Sequence, residues 1–254
     1  MQPVIELFGK TISVYGVFYI LGIGFAALSA VILAKGKMPA YEVVYSAVYS
    51  VIGGILGAKL LFVAVSIPQI LEKEIPLWAV LRGGFVFYGG VIGGAVGLLA
   101  YCRQFKIPFF RLADLYSVCL PLGHTIGRFG CYFAGCCYGM EYDGPFSVTY
   151  HTTLGDTPLG VPLLPIQLIE AVALIALFLL LMVRYCKGDY EIPGRLVGLY
   201  ATAYGVLRFL LEFFRGDLVR GVFSGLFTSQ WISLGLFAIG VWLLLKGKRF
   251  GKEL

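Results

Sequence analysis

The chain has 254 residues, 59% of them apolar and only 13% charged, with a formal net charge of +6; its mean hydropathy is +0.87. Soluble domains run at roughly 45–50% apolar and about 25% charged, so the composition excludes an ordinary water-soluble domain and points to an integral membrane protein. The positive surplus does not signal nucleic acid, because the basic residues cluster in short loops between apolar runs, where they act as topology signals.

Seven apolar runs, each near the ~20 residues that a bilayer core requires, are drawn over 12–34, 44–71, 78–101, 110–127, 164–184, 196–214 and 229–246. The N-terminus carries Glu6 before the first run and lacks the basic flank and short apolar core of a cleavable signal. Tyr15-Gly16 opens span one, and Lys35 and Lys37 follow it. Span two leads into an acidic turn of Glu72, Lys73 and Glu74. Span three carries Arg82-Gly83-Gly84, Tyr88-Gly89-Gly90 and Gly93-Gly94. Two readings of these glycines stand side by side. They allow close helix packing through small residues, or they leave room for a lipid with the Tyr88 hydroxyl aimed into the space.

Arg103, Lys106 and Arg111 follow span three. Span four is the weakest of the seven because Asp114, His124 and Arg128 interrupt it. Asp114 reads as a structural partner for a basic side chain, and His124 as a hydrogen-bonded helix residue or a base. Gly127 to Gly139 then packs an arginine, three cysteines and four glycines into thirteen residues. A guanidinium at membrane depth is costly unless it pairs or lines a watered cavity, so Arg128 is a site candidate by default. Glycines let backbone approach a ligand closely, and arginine in such a nest matches a phosphate group.

Six cysteines are scattered along the chain and do not frame a small disulfide scaffold. Cys102, Cys119 and Cys186 lie in or beside apolar runs and read as packing residues. Cys131, Cys136 and Cys137 lack the paired C-x-x-C spacing of structural zinc, and the chain has only two histidines, so no metal and no cofactor is expected. Either of the vicinal pair could bridge Cys131 in an oxidising compartment. A thiol nucleophile finds no clear base nearby in the sequence.

Residues 139–163 form the longest polar stretch and read as a loop or small extracytoplasmic cap. Gln167 and Glu170 begin span five, with Arg184, Lys187 and Arg195 beyond its other end. Span six ends with Arg208 and Glu212, spaced i,i+4 on one helix face and able to pair, followed by Arg215. The ordinary reading is an intrahelical ion pair with Arg215 reaching the interface. The functional one is a second arginine at the depth of Arg128, facing an anionic headgroup. Span seven is closed by Lys246, Lys248, Arg249 and Lys252. The basic loops named here hold twelve of the twenty basic residues, all on one side. The positive-inside rule therefore sets the C-terminus in the cytoplasm and the N-terminus outside, with the glycine-cysteine segment at the outer face. Trp78 and Trp231 fall near predicted interfaces, where they suit anchoring. The expected architecture is all-α, polytopic, with about seven transmembrane helices in a single transmembrane domain over 1–254.

The set formed by Tyr15-Gly16, Gly83-Gly84, Gly89-Gly90, Asp114, Pro121-x-Gly123, Gly127-Arg128-x-Gly130, Pro165-x-Gln167-Leu168-x-Glu170 and Tyr204-Gly205-x-x-Arg208-Phe209-x-x-Glu212-Phe213-x-Arg215 resembles the prolipoprotein diacylglyceryl transferase family, in the family's order and across residues 15 to 215. The resemblance implies a seven-span enzyme of the bacterial cytoplasmic membrane with its active site toward the extracytoplasmic side. It implies transfer of the diacylglyceryl group of phosphatidylglycerol to the lipobox cysteine thiol of a preprolipoprotein, with glycerol phosphate released. Its partners would be that phospholipid, those signal peptides and the bilayer. By the family's pattern Arg128 and Arg208 hold the phosphate and stabilise the charge that grows on it, with Tyr15, Glu212 and Arg215 in the supporting shell; Gln167 and Glu170, at the same outer level, could line the same cavity, and Gly130 joins the substrate-binding set. The chain departs from the pattern at Tyr88, where well-known members carry histidine, and at Cys131 and Cys136, where they carry asparagine and glutamate. A tyrosine with an ordinary pKa near 10 is a poor base at neutral pH, which leaves Tyr88 a hydrogen-bond donor. A related transferase with another acceptor and a non-catalytic phospholipid-binding or transport protein are the alternatives.

Overall fold

A computed structural model describes residues 3–7, 10–72, 75–217 and 221–250; Lys73, Glu74 and Lys252 of the charge pattern lie outside these. Most of the described chain is helical. The helices are α1 (Val14–Ala34), α2 (Ala40–Val65), α3 (Ile67–Leu71), α4 (Leu77–Arg82), α5 (Phe87–Phe105), α6 (Phe109–Ala134), α7 (Ile166–Cys186), α8 (Arg195–Leu211) and α9 (Thr228–Phe250). Among the described residues, five helices are long and apolar enough to cross a membrane: α1, α2, α7, α8 with its 3-10 extension to Phe214, and α9. Helices α5 and α6 have the length but more polar side chains, Arg103 and Gln104 in the first and Arg111, Asp114, His124 and Arg128 in the second.

Among the described residues, three short two-stranded antiparallel pairs accompany the helices of this mostly helical fold. They are β1–β2 (Val4–Leu7 with Lys10–Ser13), β3–β4 (Val148–Thr149 with Pro162–Leu163) and β5–β6 (Val222–Phe223 with Leu226–Phe227). The predicted third span is not one helix. The chain breaks between Arg82 and Phe87, where Gly83 and Gly84 leave the helical conformation. Lys59 of α2 stabilises that break: its Nζ donates to the carbonyls of Val80 (3.1 Å) and Gly83 (2.9 Å), completing the end of α4 as a cation at a helix C-terminus does.

The chain divides into two compact units, Val31–Ala113 and the remainder. In the first, α2 packs on α5 along a stripe of glycines. A Cβ added to Gly89 would overlap the carbonyl of Gly57, and one on Gly93 would overlap that of Gly53. The span-three glycines therefore bring two backbones together as small-residue stripes do in membranes. The lipid-room reading of that face is overturned, because α2 fills it. Tyr88 lies here, half-buried on the first turn of α5 with its ring 5.8 Å from that of Phe87.

In the second unit, α1 crosses α6 where Gly22 and Gly123 meet, and α8 crosses α9 where Gly198 and Gly205 meet Gly240 and Ser233. Among the described residues, no basic side chain pairs with Asp114. Its carboxylate accepts the backbone N–H groups of Gly194 (2.7 Å) and Val197 (2.9 Å), capping α8 from another helix. The four unbonded N–H groups and positive end of a helix N-terminus explain that choice. Of the three cysteines expected to pack, Cys102 and Cys119 are buried but Cys186 is exposed.

Candidate active site

The segment around Arg128 is not a loop nest. Helix α6 continues through Gly127, Arg128, Gly130 and Cys131 to Ala134, seven residues beyond the predicted end of span four. A helix 3.6 residues per turn puts His124 and Arg128 on one face. Gly130 faces α1, where its Cα approaches Phe18 and Tyr15 so closely that a Cβ would meet Phe18 Cβ at 2.9 Å. Its place in the motif is thus explained by packing, and it brings Tyr15 against this end of α6.

The helix ends on Gly135, in the left-handed region at φ +67°, a conformation that favours glycine. Residues of the polar stretch satisfy its last carbonyls. Leu154 N donates to Ala134 O (3.0 Å), Thr153 Oγ1 donates to Gly135 O (2.6 Å), and the Thr157 hydroxyl reaches the same oxygen. Gln167 is 1% exposed and donates from Nε2 to Cys136 O at 2.8 Å. Its amide holds the cysteine turn in place.

Glu170, completely buried one turn further along α7, is the electrostatic centre. Arg128 Nη2 lies 2.9 Å from its Oε1, His124 Nε2 lies 3.7 Å from the same oxygen, and Arg215 Nη1 lies 4.0 Å from Oε2. Arg128 Nε also donates to His124 Nε2 at 3.2 Å. The guanidinium is thus held from two sides. Burying such charges is tolerable only when they pair.

The second cluster comes from α8. Arg208 Nη1 and Glu212 Oε2 stand 2.6 Å apart, both buried. Arg208 and Arg128 both lie within electrostatic reach of His124, whose ring also meets that of Tyr204 edge-on at 5.5 Å. Arg215 continues the series. It forms a bidentate pair with Asp217, Nε to Oδ1 and Nη2 to Oδ2, each at 3.1 Å. Its backbone is fastened beside Gly139 through Gly216 N to Tyr138 O (3.1 Å) and Met140 N to Phe214 O (2.9 Å). Arg128, Arg208 and Arg215, the last two buried, therefore lie with Glu170, Glu212, Asp217 and His124 in one compact unit.

A family profile described as prolipoprotein diacylglyceryl transferase matches residues 2–246. The chain belongs to this family. The phosphatidylglycerol–prolipoprotein diacylglyceryl transferase of Clostridium tetani is 39% identical over 251 residues, covering 96% of each chain. A second such enzyme, from Clostridium perfringens, is 32% identical over 251 residues, covering 98% of this chain and 96% of the relative. That of Geobacter sulfurreducens is 35% identical over 239 residues, covering 89% and 87%.

Against this family frame, the described geometry brings together Arg128, Glu170 and Arg215 directly, and Arg208 with Glu212. Tyr15 and Gly130 lie against the same end of α6. Tyr88 belongs to the other compact unit. His124, for which the sequence leaves a hydrogen-bonded helix residue or a base open, pairs with Arg128 at the i,i+4 spacing. Asp217, two residues beyond Arg215, carries no signal in the sequence. The three cysteines were set aside on their spacing, yet their sulfurs all lie within 4.8 Å of one another.

Proposed function

We propose that this chain transfers the diacylglyceryl group of phosphatidylglycerol to the thiol of a lipobox cysteine in a preprolipoprotein, the first step of lipoprotein maturation. The names of its relatives supply the reaction. The observation that carries it to these residues is the Arg128 guanidinium, held by Glu170 and His124, with Arg208 acting on the same histidine. Arginine's planar donors match phosphate oxygens and stay charged when buried.

In this reading Arg128 and Arg208 hold the phosphodiester of the lipid. The substrate thiolate attacks the glyceryl carbon that bears the phosphate; the C–S bond forms, the C–O bond breaks, and glycerol phosphate leaves with that electron pair. The thiol proton passes to water, which is feasible because a few per cent of a free thiol is ionised at pH 7. Negative charge grows on the departing phosphate, so preorganised guanidiniums bind the transition state more tightly than the ground state. Glu170 keeps Arg128 and Arg215 in register, Glu212 orients Arg208, and Gln167 secures the turn beside them. Tyr15 flanks the headgroup. An apolar groove of about 200 Å³, lined by Gly205, Val206, Phe209, Leu210, Ser233, Leu234 and Phe237, runs along the helix that carries Arg208 and suits an acyl chain.

The enzyme would sit in the bacterial inner membrane with seven spans, α5 and α6 adding to the five most apolar helices. The C-terminus would be cytoplasmic, and residues 139–163 would form a cap on the extracytoplasmic side, where the site opens. Reporter fusions in the loops test that orientation.

The deciding experiment incubates the purified protein with phosphatidylglycerol and a lipobox peptide and reads the peptide by mass spectrometry. A diacylglyceryl mass is expected with wild type and none with Arg128→Ala. Full activity in Arg128→Ala would remove the clamp. Lipid binding without product would favour a non-catalytic lipid carrier.

A further inference from the structure

The glycine-cysteine segment holds a feature that phosphate clamping does not use. Cys131 sits on the last full turn of α6, and Cys136 and Cys137 follow the Gly135 turn. Their three Sγ atoms lie within 4.8 Å of one another, with all three thiols free. What folds the chain back is not the sulfurs. Cys136 N donates to Cys131 O (3.1 Å), Gln167 holds Cys136 O, and Thr153 and Thr157 hold Gly135 O. Cys137 itself takes a left-handed backbone at φ +56°, a strained choice for a side chain with Cβ. That conformation is retained here where it directs the third sulfur toward the other two.

The distances favour one kind of occupant. Thiolates around a tetrahedral ion with bonds of about 2.3 Å stand about 3.8 Å apart, so the sulfurs need to close by at most about 1 Å. A disulfide needs a separation of about 2.0 Å, and it would leave the third sulfur without a role. Three thiolates also need nearby positive charge, and both Arg128 and Arg215 act electrostatically on Cys137. Soft sulfur ligands select Cu(I) and Zn(II) over hard cations.

We propose that Cys131, Cys136 and Cys137 form a three-thiolate site for one soft d10 metal ion of the Cu(I) or Zn(II) class. Binding displaces the three thiol protons to solvent and forms three metal–sulfur bonds, with no change of oxidation state. With Zn(II) a water completes the tetrahedron, whereas Cu(I) is satisfied by three sulfurs.

The test uses the full chain in detergent, kept reduced, with metal binding as its readout and no dependence on lipid transfer. Cd(II) serves as the spectroscopic probe, and Zn(II) and Cu(I) are added in competition. One Cd(II) per chain with a sulfur-to-metal charge-transfer band is expected, displaced by Cu(I) or Zn(II). Loss of the band is expected in each of Cys131→Ser, Cys136→Ser and Cys137→Ser, and retention in Cys102→Ser. Should a serine variant fail to fold, alkylation of wild type decides: bound metal must protect these three cysteines together. Absence of the band in the reduced wild type, or its persistence in the serine variants, overturns the site. So does a reduced protein that binds no ion and yields a Cys131 disulfide on air oxidation.

Discussion

Replacing Glu170 by glutamine keeps the shape of the side chain but removes the one carboxylate shared by Arg128, Arg215 and His124. At an effective dielectric of about 20, a guanidinium at 2.9 Å attracts that carboxylate by about 6 kcal/mol and one at 4.0 Å by about 4 kcal/mol. Dehydrating the carboxylate takes back several kcal/mol, so losing one partner of such a buried pair leaves a net destabilisation of about 3–5 kcal/mol. Equilibrium unfolding in mixed detergent micelles, followed by circular dichroism, measures this. The same experiment on Arg128→Met and on the double variant closes a cycle. The double variant should be less destabilised than the sum of the singles, because it no longer strands a buried charge. A loss below about 1 kcal/mol in Glu170→Gln, or strict additivity in the cycle, would refute the role of Glu170 as counter-ion. Lipid transfer should fall together with stability, since Arg128 loses the partner that aims it.

Asp114→Ala should cost about 1–3 kcal/mol, because it leaves the N–H groups of Gly194 and Val197 without their acceptor. Hydrogen exchange at the start of α8 should quicken, and Asp114→Asn should recover part of the loss. Gly93→Ala forces a Cβ into the Gly53 carbonyl, an overpacking worth about 1–3 kcal/mol. Gly24→Ala, with nothing within 4 Å of its added Cβ, is the control and should fold as stably as wild type in the same unfolding assay.

Much of the fold was legible because the lipid environment simplifies the problem. A helix in hydrocarbon must satisfy its own backbone, so runs of about 20 apolar residues reveal themselves by composition alone. Five of the seven runs coincide with helices of the expected length and apolarity. The two that fall short of that apolarity fail for opposite reasons. Gly83 and Gly84 broke the third, since composition does not show that Lys59 waits to complete the end of α4. The fourth ran longer than drawn, because Arg128 and His124 disguise a helix whose polar face is turned inward to Glu170.

The sequence by itself determined the membrane class, the family and the identities of the charged side chains within the apolar runs. Those follow from residue types and local spacing, such as Arg208 to Glu212 at i,i+4. Tertiary structure alone decided the pairings: Glu170 with Arg128 and Arg215, Asp114 with the start of α8, and the three sulfurs with one another. Each of those contacts joins residues whose separation is set by how helices pack and turns close. No periodicity along the chain records such distances, which depend on backbone approach at glycines and on capped helix ends.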